Sequence, residues 1–338
     1  MLRKVLTAAA FAATVSVSVQ ASAFQPLESD PKELVFGIIS TESSQNLKRQ
    51  WDPFLEDMQA SLGMPVKAFF APDYAGIIEA QRFGKVHVAW YGNKSAMEAV
   101  DRAGAEIFVR QTKVDGSEGY YSHVITHVSN PVNDLAGMFA ECGKGKSYGN
   151  GDPNSTSGFL VPSFYVWAQN NMDPKDCFKT VRSANHEANL MAAANKQVDY
   201  ANNNSEQLVR TQMNAPDAAN QVKAIWTSPL IPADPIAYRK DLSVELKNSI
   251  QGFFLSYGRI GTPEQVAHAK EVLAGMSDGQ GPFRASDDTQ LYPIRELELF
   301  KNRIKIVNDE RLEAADKAAK LAEIDAQLAK LKVLASGF

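Results

Sequence analysis

Segments with strand character and segments with helix character alternate along this chain, and the alternation occurs twice. Between residues 33 and 93, the buried-strand patterns ELVFGIIS, PVKAFFAPD and VHVAWYGN are separated by amphipathic helical patterns. From about Ser129 the pattern restarts, with KSYGNG, CFKTVRSA and VDYANNN as strands between helices. Such alternation is typical of a mainly parallel sheet covered by helices on both faces. We therefore predict two α/β lobes, joined by crossover strands that form the hinge of a cleft.

The first 23 residues have the pattern of a secretory signal peptide. Arg3 and Lys4 precede an apolar run from Val5 to Val19, and residues 21–23 are the small residues of a cleavage site. Removal of this segment takes away two cations and no acids, so that the formal net charge falls from −4 to −6. We expect an exported, acidic protein. Because it has no long basic run, it is not expected to bind nucleic acid.

Cys142 and Cys177 are the two cysteines of the chain. In an oxidising compartment, two thiols are expected to form one disulfide rather than a metal site or a nucleophile. His123 and His127 fall in the strand pattern YYSHVITHV, where residues four apart lie about 13 Å apart and cannot share a metal ion. No nucleophile elbow, HExxH pattern or Walker loop is present. The sequence therefore predicts no metal site, no cofactor and no enzymatic activity.

The stretch GNGDPNSTSGFLVP places Ser155, Thr156 and Ser157 where a loop passes into a helix predicted to begin near Gly158. It follows a predicted strand, and ligands of open α/β sheets bind beyond the carboxyl ends of the strands. A helix N-terminus offers unpaired N–H groups and a partial positive charge, which suit an anion. Ser, Thr, Asn and Asp are also common as ordinary helix N-caps. The residues themselves leave both interpretations open.

The C-terminal stretch from residue 309 is rich in Ala, Leu, Lys and Glu and predicts a long helix. Apolar residues recur in it at three- and four-residue spacing, at Leu321, Ile324, Leu328, Leu331 and Ala335. Lys317 interrupts this pattern, and about three heptads is short for a free coiled coil. The apolar stripe therefore either packs on its own domain or forms a homodimer contact.

Six long segments together resemble a known family. They are FGIISTESSQNLKRQWDPFLEDM, FFAPDYAGIIEAQRFGKVHVAWYGNKSAMEAV, GNGDPNSTSGFLVP, NKQVDYANNNSE, SPLIPADPIAYR and GPFRASDDTQLYPIRELELFK. From about Leu34 to Lys301, the chain resembles the periplasmic phosphonate-binding proteins of ABC importers, and most closely their 2-aminoethylphosphonate-binding branch. The resemblance implies a type II periplasmic binding protein fold, a periplasmic location, a phosphonate ligand and a membrane permease as partner.

The same resemblance implies a ligand site between the lobes. It assigns contacts with the phosphonate group to Tyr74, Tyr120, Ser155, Thr156, Ser157 and His186. It assigns the ligand's ammonium group to two acids, Glu206 and Asp234. No Lys or Arg lies within the serine-threonine motif, so that neutral donors are expected to hold the anion. The two carboxylates have no basic residue beside them in sequence and would repel each other unless a cation lies between them.

The predicted organisation places the signal peptide at residues 1–23 and the C-terminal helical extension at residues 297–338. Lobe 1 comprises residues 24–122 and 235–296, and lobe 2 comprises residues 123–234. One alternative function is a binding protein for phosphite, methylphosphonate or phosphate, although such small anions gain nothing from two carboxylates. The other alternative is an exported hydrolase of phosphorus compounds, for which the sequence offers His186 as a base and no cluster of metal ligands.

Overall fold

A computed structural model describes residues 27–276 and 279–336 of the chain. The predicted signal peptide, residues 1–23, lies outside the described residues. Within the described ranges, no helix combines the length and the apolar character that crossing a membrane requires. Two larger β-sheets, each flanked by helices, form two lobes, and the chain passes between them twice.

The first lobe is built on a six-stranded mixed sheet. Its strands are β1 (Leu34–Ile38), β2 (Val66–Phe70), β3 (Val88–Trp90), β4 (Ala105–Lys113), β12 (Pro235–Arg239) and β13 (Gln280–Ala285). They lie in the order β13-β4-β12-β3-β1-β2, with β1, β2 and β3 parallel and β12 antiparallel to both of its neighbours. Its helices are α1 (Ser44–Leu62), α2 (Tyr74–Arg82), α3 (Asn93–Arg102), α9 (Val244–Ser256) and α10 (Pro263–Met276).

Helix α1 shows how the sequence builds the core of this lobe. The Ser43 side chain caps the helix by accepting from Asn46 N, and the helix ends at Gly63, whose φ of 65° favours glycine. The residues that α1 buries recur at helical spacing: Leu47, Trp51, Phe54, Leu55 and Met58. The Trp51 ring stacks on the Trp90 ring with centroids 5.3 Å apart, which fixes the Trp90 indole at the end of β3.

The second lobe is built on a five-stranded sheet. Its strands are β6 (Ser122–His127), β7 (Ser147–Asn150), β8 (Thr180–Ser183), β9 (Tyr200–Asn204) and β10 (Val222–Thr227), in the order β10-β6-β9-β7-β8. Its α-helices are α4 (Leu135–Phe139), α5 (Pro174–Cys177), α6 (His186–Ala194), α7 (Ser205–Asn214) and α8 (Pro216–Ala219). Between the lobes, β5 (Gly119–Tyr120) pairs antiparallel with β11 (Ile231–Pro232), so that the two crossing segments form one two-stranded link.

A disulfide joins Cys142 to Cys177, with an S–S distance of 1.95 Å. Cys142 precedes β7, and Cys177 ends the short helix before β8. Since β7 and β8 are parallel neighbours, the two segments that enter them lie side by side. The backbone supports the same approach, because Gly143 N donates to Cys177 O at 2.9 Å.

The helix after the STSG segment is wound more widely than the α-helix that its sequence predicts. It begins at Thr156, two residues before the predicted start, and Thr156–Leu160 and Ser163–Trp167 form π-helical turns. Leu160 N accordingly donates to the carbonyl of Ser155, five residues back, at 3.1 Å. Pro162 lies between the two wide segments and has no N–H to donate to an ordinary helical hydrogen bond. Wide turns of this kind are frequent at functional sites.

The C-terminal extension consists of α11 (Tyr292–Asn308), preceded by a 3₁₀ turn (Asp288–Leu291), and of α12 (Ala314–Ala335). Helix α11 contacts both lobes. At its N-terminal half, Glu298 lies 3.5 Å from Lys94 of α3, and at its last residue Asn308 donates to Asn171 of the second lobe at 2.8 Å. The extension therefore touches each lobe.

The apolar stripe of α12 faces its own chain. Ile324 is buried, whereas Leu321, Leu328 and Leu331 are half-buried and Ala335 is exposed. An ion pair of 2.8 Å between Arg303 and Asp325 adds to the contact of α12 with α11. The repeated spacing is thus used within the chain, and Val333 and Leu334 remain exposed at the end of α12.

Candidate functional site

The eight residues assigned to the ligand by resemblance lie around one cavity between the lobes. Tyr74 belongs to the first lobe, and Tyr120 and Asp234 belong to the link and its exit. The second lobe contributes Ser155, Thr156, Ser157, His186 and Glu206. The remaining lining residues are Ile39, Thr41, Trp90, Gly92, Asn204 and Arg210. The cavity lies beyond the carboxyl ends of β1, β2, β3, β7 and β9, as the strand-end argument predicts.

Two glycines allow the serine-threonine loop its compact shape. Gly151 N donates to Gly158 O at 2.9 Å, and a Cβ on Gly151 would lie 2.4 Å from the Gly158 carbonyl carbon. Ser155 is the N-cap of the following helix, because its Oγ accepts from Gly158 N at 3.0 Å. The same residue lines the cavity. Ser155 therefore caps the helix and faces the cavity, so the two interpretations of the motif do not exclude each other.

His186 stands between two of the hydroxyl groups. Its Nε2 lies 3.4 Å from the Oγ atoms of both Ser155 and Ser157, and Asn204 Nδ2 donates to Ser157 Oγ at 3.2 Å. Burial, together with the charge of Arg210, lowers the pKa of His186 to about 3, so that the imidazole is neutral. Burial also raises the pKa of Tyr74, which remains a protonated phenol. These residues thus present neutral groups that can donate hydrogen bonds.

The cavity lining also carries the two acids, in different states. Tyr120 OH donates to Asp234 Oδ1 at 3.0 Å, and burial together with the nearby Glu206 raises the pKa of Asp234 well above its ordinary value. Glu206 forms an ion pair of 2.8 Å with Lys113 of β4. Although burial acts to raise its pKa, the charges of Lys113 and Arg210 hold the pKa of Glu206 below its ordinary value. Lys113 and Arg210 thus favour the ionised form of Glu206, whereas burial and Glu206 favour the protonated form of Asp234.

The ion pair of Glu206 corrects one expectation from the sequence. The two acids have no basic neighbour in sequence, but Lys113 approaches Glu206 from a different lobe. Arg210 also lines the cavity, beside the neutral donors of the serine-threonine motif. Lys113 lies far from the motifs in sequence, whereas Arg210 follows Glu206 by four residues on α7.

The two lobes meet across the cavity through several hydrogen bonds. Thr156 Oγ1 accepts from Lys94 N at 2.8 Å, and Asp152 Oδ2 accepts from Tyr74 N at 3.2 Å. Glu187, at the start of α6, accepts from Ser43 N at 2.6 Å at the N-terminus of α1. The structure is therefore the closed form of a two-lobed protein, with its cavity shut between the lobes.

Two polar atoms of the cavity lining are buried without a hydrogen-bond partner among the described residues, namely Thr41 Oγ1 and His186 Nδ1. The Trp90 indole lies beside the Asp234 carboxyl group and acts to lower its pKa. Buried polar atoms without a hydrogen bond are costly and point to a missing partner. Thr41 follows β1 and Trp90 ends β3, so that the strand-end rule applied to every strand of the first lobe would have indicated both.

Within the described residues, no group of three or more His, Cys, Asp or Glu side chains is placed to hold a metal ion. The cavity lining offers hydroxyl, phenol and imidazole groups that can donate hydrogen bonds, together with the carboxyl groups of Glu206 and Asp234.

Comparison with known proteins identifies close relatives. The family described as "ABC transporter, phosphonate, periplasmic substrate-binding protein" matches residues 36–291. The chain is 51% identical over 328 residues to the "Phosphonates-binding periplasmic protein" of Escherichia coli (strain K12), which covers 97% of this chain and 94% of that protein. At greater distance, a "Phosphate-import protein" of Mycolicibacterium smegmatis is 24% identical over 264 residues, covering 74% of this chain and 80% of that protein.

A solved structure supports the fold. It is a binding protein component of an ABC phosphonate transporter from Pseudomonas aeruginosa, with a TM-score of 0.86 and 51% sequence identity. The match covers 91% of this chain and 99% of that chain. The two-lobed α/β periplasmic binding protein fold predicted from the sequence is thereby confirmed.

Proposed function

Because this chain belongs to the family of periplasmic substrate-binding proteins of phosphonate ABC transporters, we propose that its ligand is 2-aminoethylphosphonate or a closely related aminophosphonate. As a member of the family, the chain is the solute-binding subunit of a transporter and not an enzyme, and its relatives are periplasmic. One observation carries the choice of ligand. The cavity lining combines several neutral donors with a carboxyl group, that of Asp234, whose hydrogen-bond partner is the Tyr120 phenol.

The neutral donors fit the phosphonate group. Ser155, Thr156 and Ser157 present hydroxyl groups at a helix N-terminus, and the neutral His186 imidazole and the Tyr74 phenol lie beside them. A hydrogen bond to a charged group contributes about 1.5–3 kcal/mol, so that three or four such bonds in a closed cavity are enough for tight binding. Because these donors carry no charge, they can lie close together without repelling one another.

A count of charges around the cavity identifies the acid that meets the ammonium group. Glu206 is balanced by Lys113, and Arg210 is balanced by Glu42 of the first lobe. Asp234 is the remaining acid of the cavity lining, and its partner Tyr120 is a neutral phenol. A bound ammonium group supplies the charge that allows Asp234 to ionise, and Glu206 adds a second, shared attraction. We therefore assign the ammonium group mainly to Asp234, with Glu206 in support.

The alternative ligands are phosphate, phosphite and methylphosphonate. The relative from Mycolicibacterium smegmatis, named as a phosphate importer, shows that similar chains serve such anions. A small anion in this cavity would use the neutral donors alone and would gain nothing from Asp234. The cavity of this chain therefore favours the aminophosphonate.

Calorimetric titration with 2-aminoethylphosphonate, methylphosphonate, phosphite and phosphate tests the proposal. The proposal predicts that 2-aminoethylphosphonate binds most tightly, because it uses both the neutral donors and the carboxyl groups of the cavity. Equal or tighter binding of phosphate, phosphite or methylphosphonate would contradict the assignment of an aminophosphonate, while leaving the membership of the family untouched.

A further inference from the structure

Arg210 is the one Lys or Arg among the described residues that line the ligand cavity. An arginine beside an anion site is ordinarily expected to clamp the anion through its guanidinium group. In this structure the guanidinium is engaged elsewhere. Its Nε donates to Glu42 Oε1, and one of its terminal nitrogens donates to Gln207 Oε1 at 3.2 Å.

The partners of Arg210 show that the contact joins the two lobes. Glu42 follows β1 in the first lobe, and its second carboxylate oxygen accepts from Gln50 of α1 at 3.1 Å. Arg210 and Gln207 belong to α7 of the second lobe. The Arg210 and Glu42 side chains are only 8% and 2% exposed. Because the two charges stand on different lobes, separation of the lobes must break the pair and return both groups to water.

The same pair stands at a boundary between two spaces. On its inner side, Arg210 lines the ligand cavity. On its outer side, Arg210 and Gln50 line a groove together with Asn46, Arg49, Met213, Asn214, Ala274 and Gly275. The Arg210–Glu42 pair therefore separates the ligand from this groove.

From this placement we infer that Arg210 and Glu42 form a gate between the lobes, which seals the cavity when the lobes close and slows the escape of the ligand. Arg210 is then a positioning residue and not the phosphonate clamp that its charge suggests. The inference rests on the proposed function only in its use of phosphonates as probes. Since the gate does not contact the amine of the ligand, it slows the dissociation of phosphonates with and without an amine equally.

The Glu42→Gln variant separates the two roles of Arg210 by the sign of its effect. If Arg210 clamps the phosphonate, Glu42 competes for its guanidinium, and the variant should bind phosphonates more tightly. If the pair is a gate, the variant loses the charge that holds the lobes together and leaves Arg210 buried without its anion. Loss of one partner of a buried charge pair acts chiefly on dissociation, and we expect an increase of about 10- to 100-fold in the dissociation rate.

The experiment follows ligand release by stopped-flow tryptophan fluorescence, since Trp90 lines the cavity. It uses 2-aminoethylphosphonate and methylphosphonate, so that an error in the amine assignment leaves the test of the gate intact. The gate predicts the same factor of acceleration for every phosphonate that binds. Unchanged or slower release from Glu42→Gln, or acceleration with one ligand alone, would overturn it.

Two matched variants complete the test. Glu106→Gln removes the charge from an ion pair of 2.7 Å with Lys247 that lies within the first lobe, and its release rate should equal that of the wild type. The double variant Glu42→Gln with Arg210→Gln replaces the ion pair by two amides. A gate predicts release no faster than from Glu42→Gln alone, because the buried unpaired charge is gone. Faster ligand release from the double variant than from Glu42→Gln would indicate that Arg210 contacts the ligand.

Discussion

Replacement of Asp234 by asparagine removes the carboxyl group that we assign to the ligand's ammonium group and changes little else in the empty cavity. The carboxyl group is buried and its pKa is raised, which favours its protonated form before the ligand arrives. An asparagine side-chain oxygen can still accept the hydrogen bond from Tyr120 OH, which lies 3.0 Å from Asp234 Oδ1. We therefore expect ligand-free Asp234→Asn to unfold at nearly the same temperature as the wild type.

Affinity for 2-aminoethylphosphonate should fall in this variant by about 1.5–3 kcal/mol, the range for a hydrogen bond to a charged group, which is a loss of about 10- to 150-fold. The lower end applies near neutral pH, because the ligand must first expel the proton from Asp234. That step costs about 1.4 kcal/mol for each unit by which the pKa of the empty site exceeds the pH. Methylphosphonate has no ammonium group, so its affinity should be unchanged or higher in the variant.

The direction of the pKa shift fixes the sign of the pH dependence. Burial and Glu206 raise the pKa of Asp234 in the empty cavity, and a bound ammonium group lowers it again. Binding therefore releases a proton at pH values between these two pKa values, and the affinity rises with pH through that window. Titration of the phosphonate itself affects wild type and variant alike. The ratio of their affinities thus isolates the contribution of Asp234.

Calorimetry on both sides of neutral pH, in pairs of buffers with different ionisation enthalpies, measures the affinity and the number of protons released. We expect the wild type to release more protons than Asp234→Asn on binding 2-aminoethylphosphonate. Equal losses of affinity for 2-aminoethylphosphonate and methylphosphonate would refute the reasoning, since Asp234 would then hold the lobes together without contacting the amine. A wild-type to variant ratio that does not change with pH would refute it as well.

Three further predictions concern the phosphonate side, the disulfide and the C-terminal helix. Ser155→Ala should weaken phosphonate binding by about 1–3 kcal/mol, measured by calorimetry. Because Ser155 is also an N-cap, the variant should lower the free energy of unfolding by about 1 kcal/mol, measured by thermal unfolding. A loss of stability without a loss of affinity would show that Ser155 only caps the helix. Thiol titration of the folded, unreduced protein should find no free thiol at Cys142 or Cys177. The disulfide spans 35 residues and contributes about 3–4 kcal/mol to stability in the chain-entropy model. Two free thiols would contradict the pairing. We propose that α12 forms a homodimer contact through its exposed side chains. Truncation before Glu313 should then give a monomer with unchanged ligand affinity. Full-length protein that sediments as a monomer at high concentration would contradict this proposal.

The alternation of strands and helices was enough to predict two α/β lobes with the ligand between them. The period of the apolar residues sets the type of each element, and the carboxyl ends of parallel strands set the edge at which ligands bind. Tyr74 and Ser155 could be placed at that edge because each lies in the segment that follows a strand and begins the next helix. Assignment of Glu206 and Asp234 to an amine needed the family resemblance, since isolated acids are most often solvated surface residues.

The ion pairs of the site could not be predicted from local patterns. Lys113 reaches Glu206 from β4 of the first lobe, and Arg210 of the second lobe reaches Glu42 of the first. Both contacts depend on how the two lobes meet, which is a property of the tertiary structure. The wide winding of the helix after Ser155 also escaped prediction, because its apolar pattern does not distinguish π-helical turns from α-helical ones.

The C-terminal stripe shows a limit of another kind. Its spacing predicts an apolar face but does not identify the partner that covers the face. In the structure, Ile324 is buried and α12 lies on α11 of the same chain. The stripe thus packs within the chain, and a second copy of the chain would have to contact the side chains of α12 that remain exposed.

The structure of the complex with 2-aminoethylphosphonate, determined by crystallography, tests the central claim most directly. We predict that the phosphonate oxygens lie within hydrogen-bond distance of the hydroxyl groups of Ser155, Thr156 and Ser157. The ligand's nitrogen should lie within hydrogen-bond distance of the Asp234 carboxylate, with Arg210 still paired to Glu42. A ligand bound in the reverse orientation, or one whose nitrogen contacts neither Asp234 nor Glu206, would contradict the account.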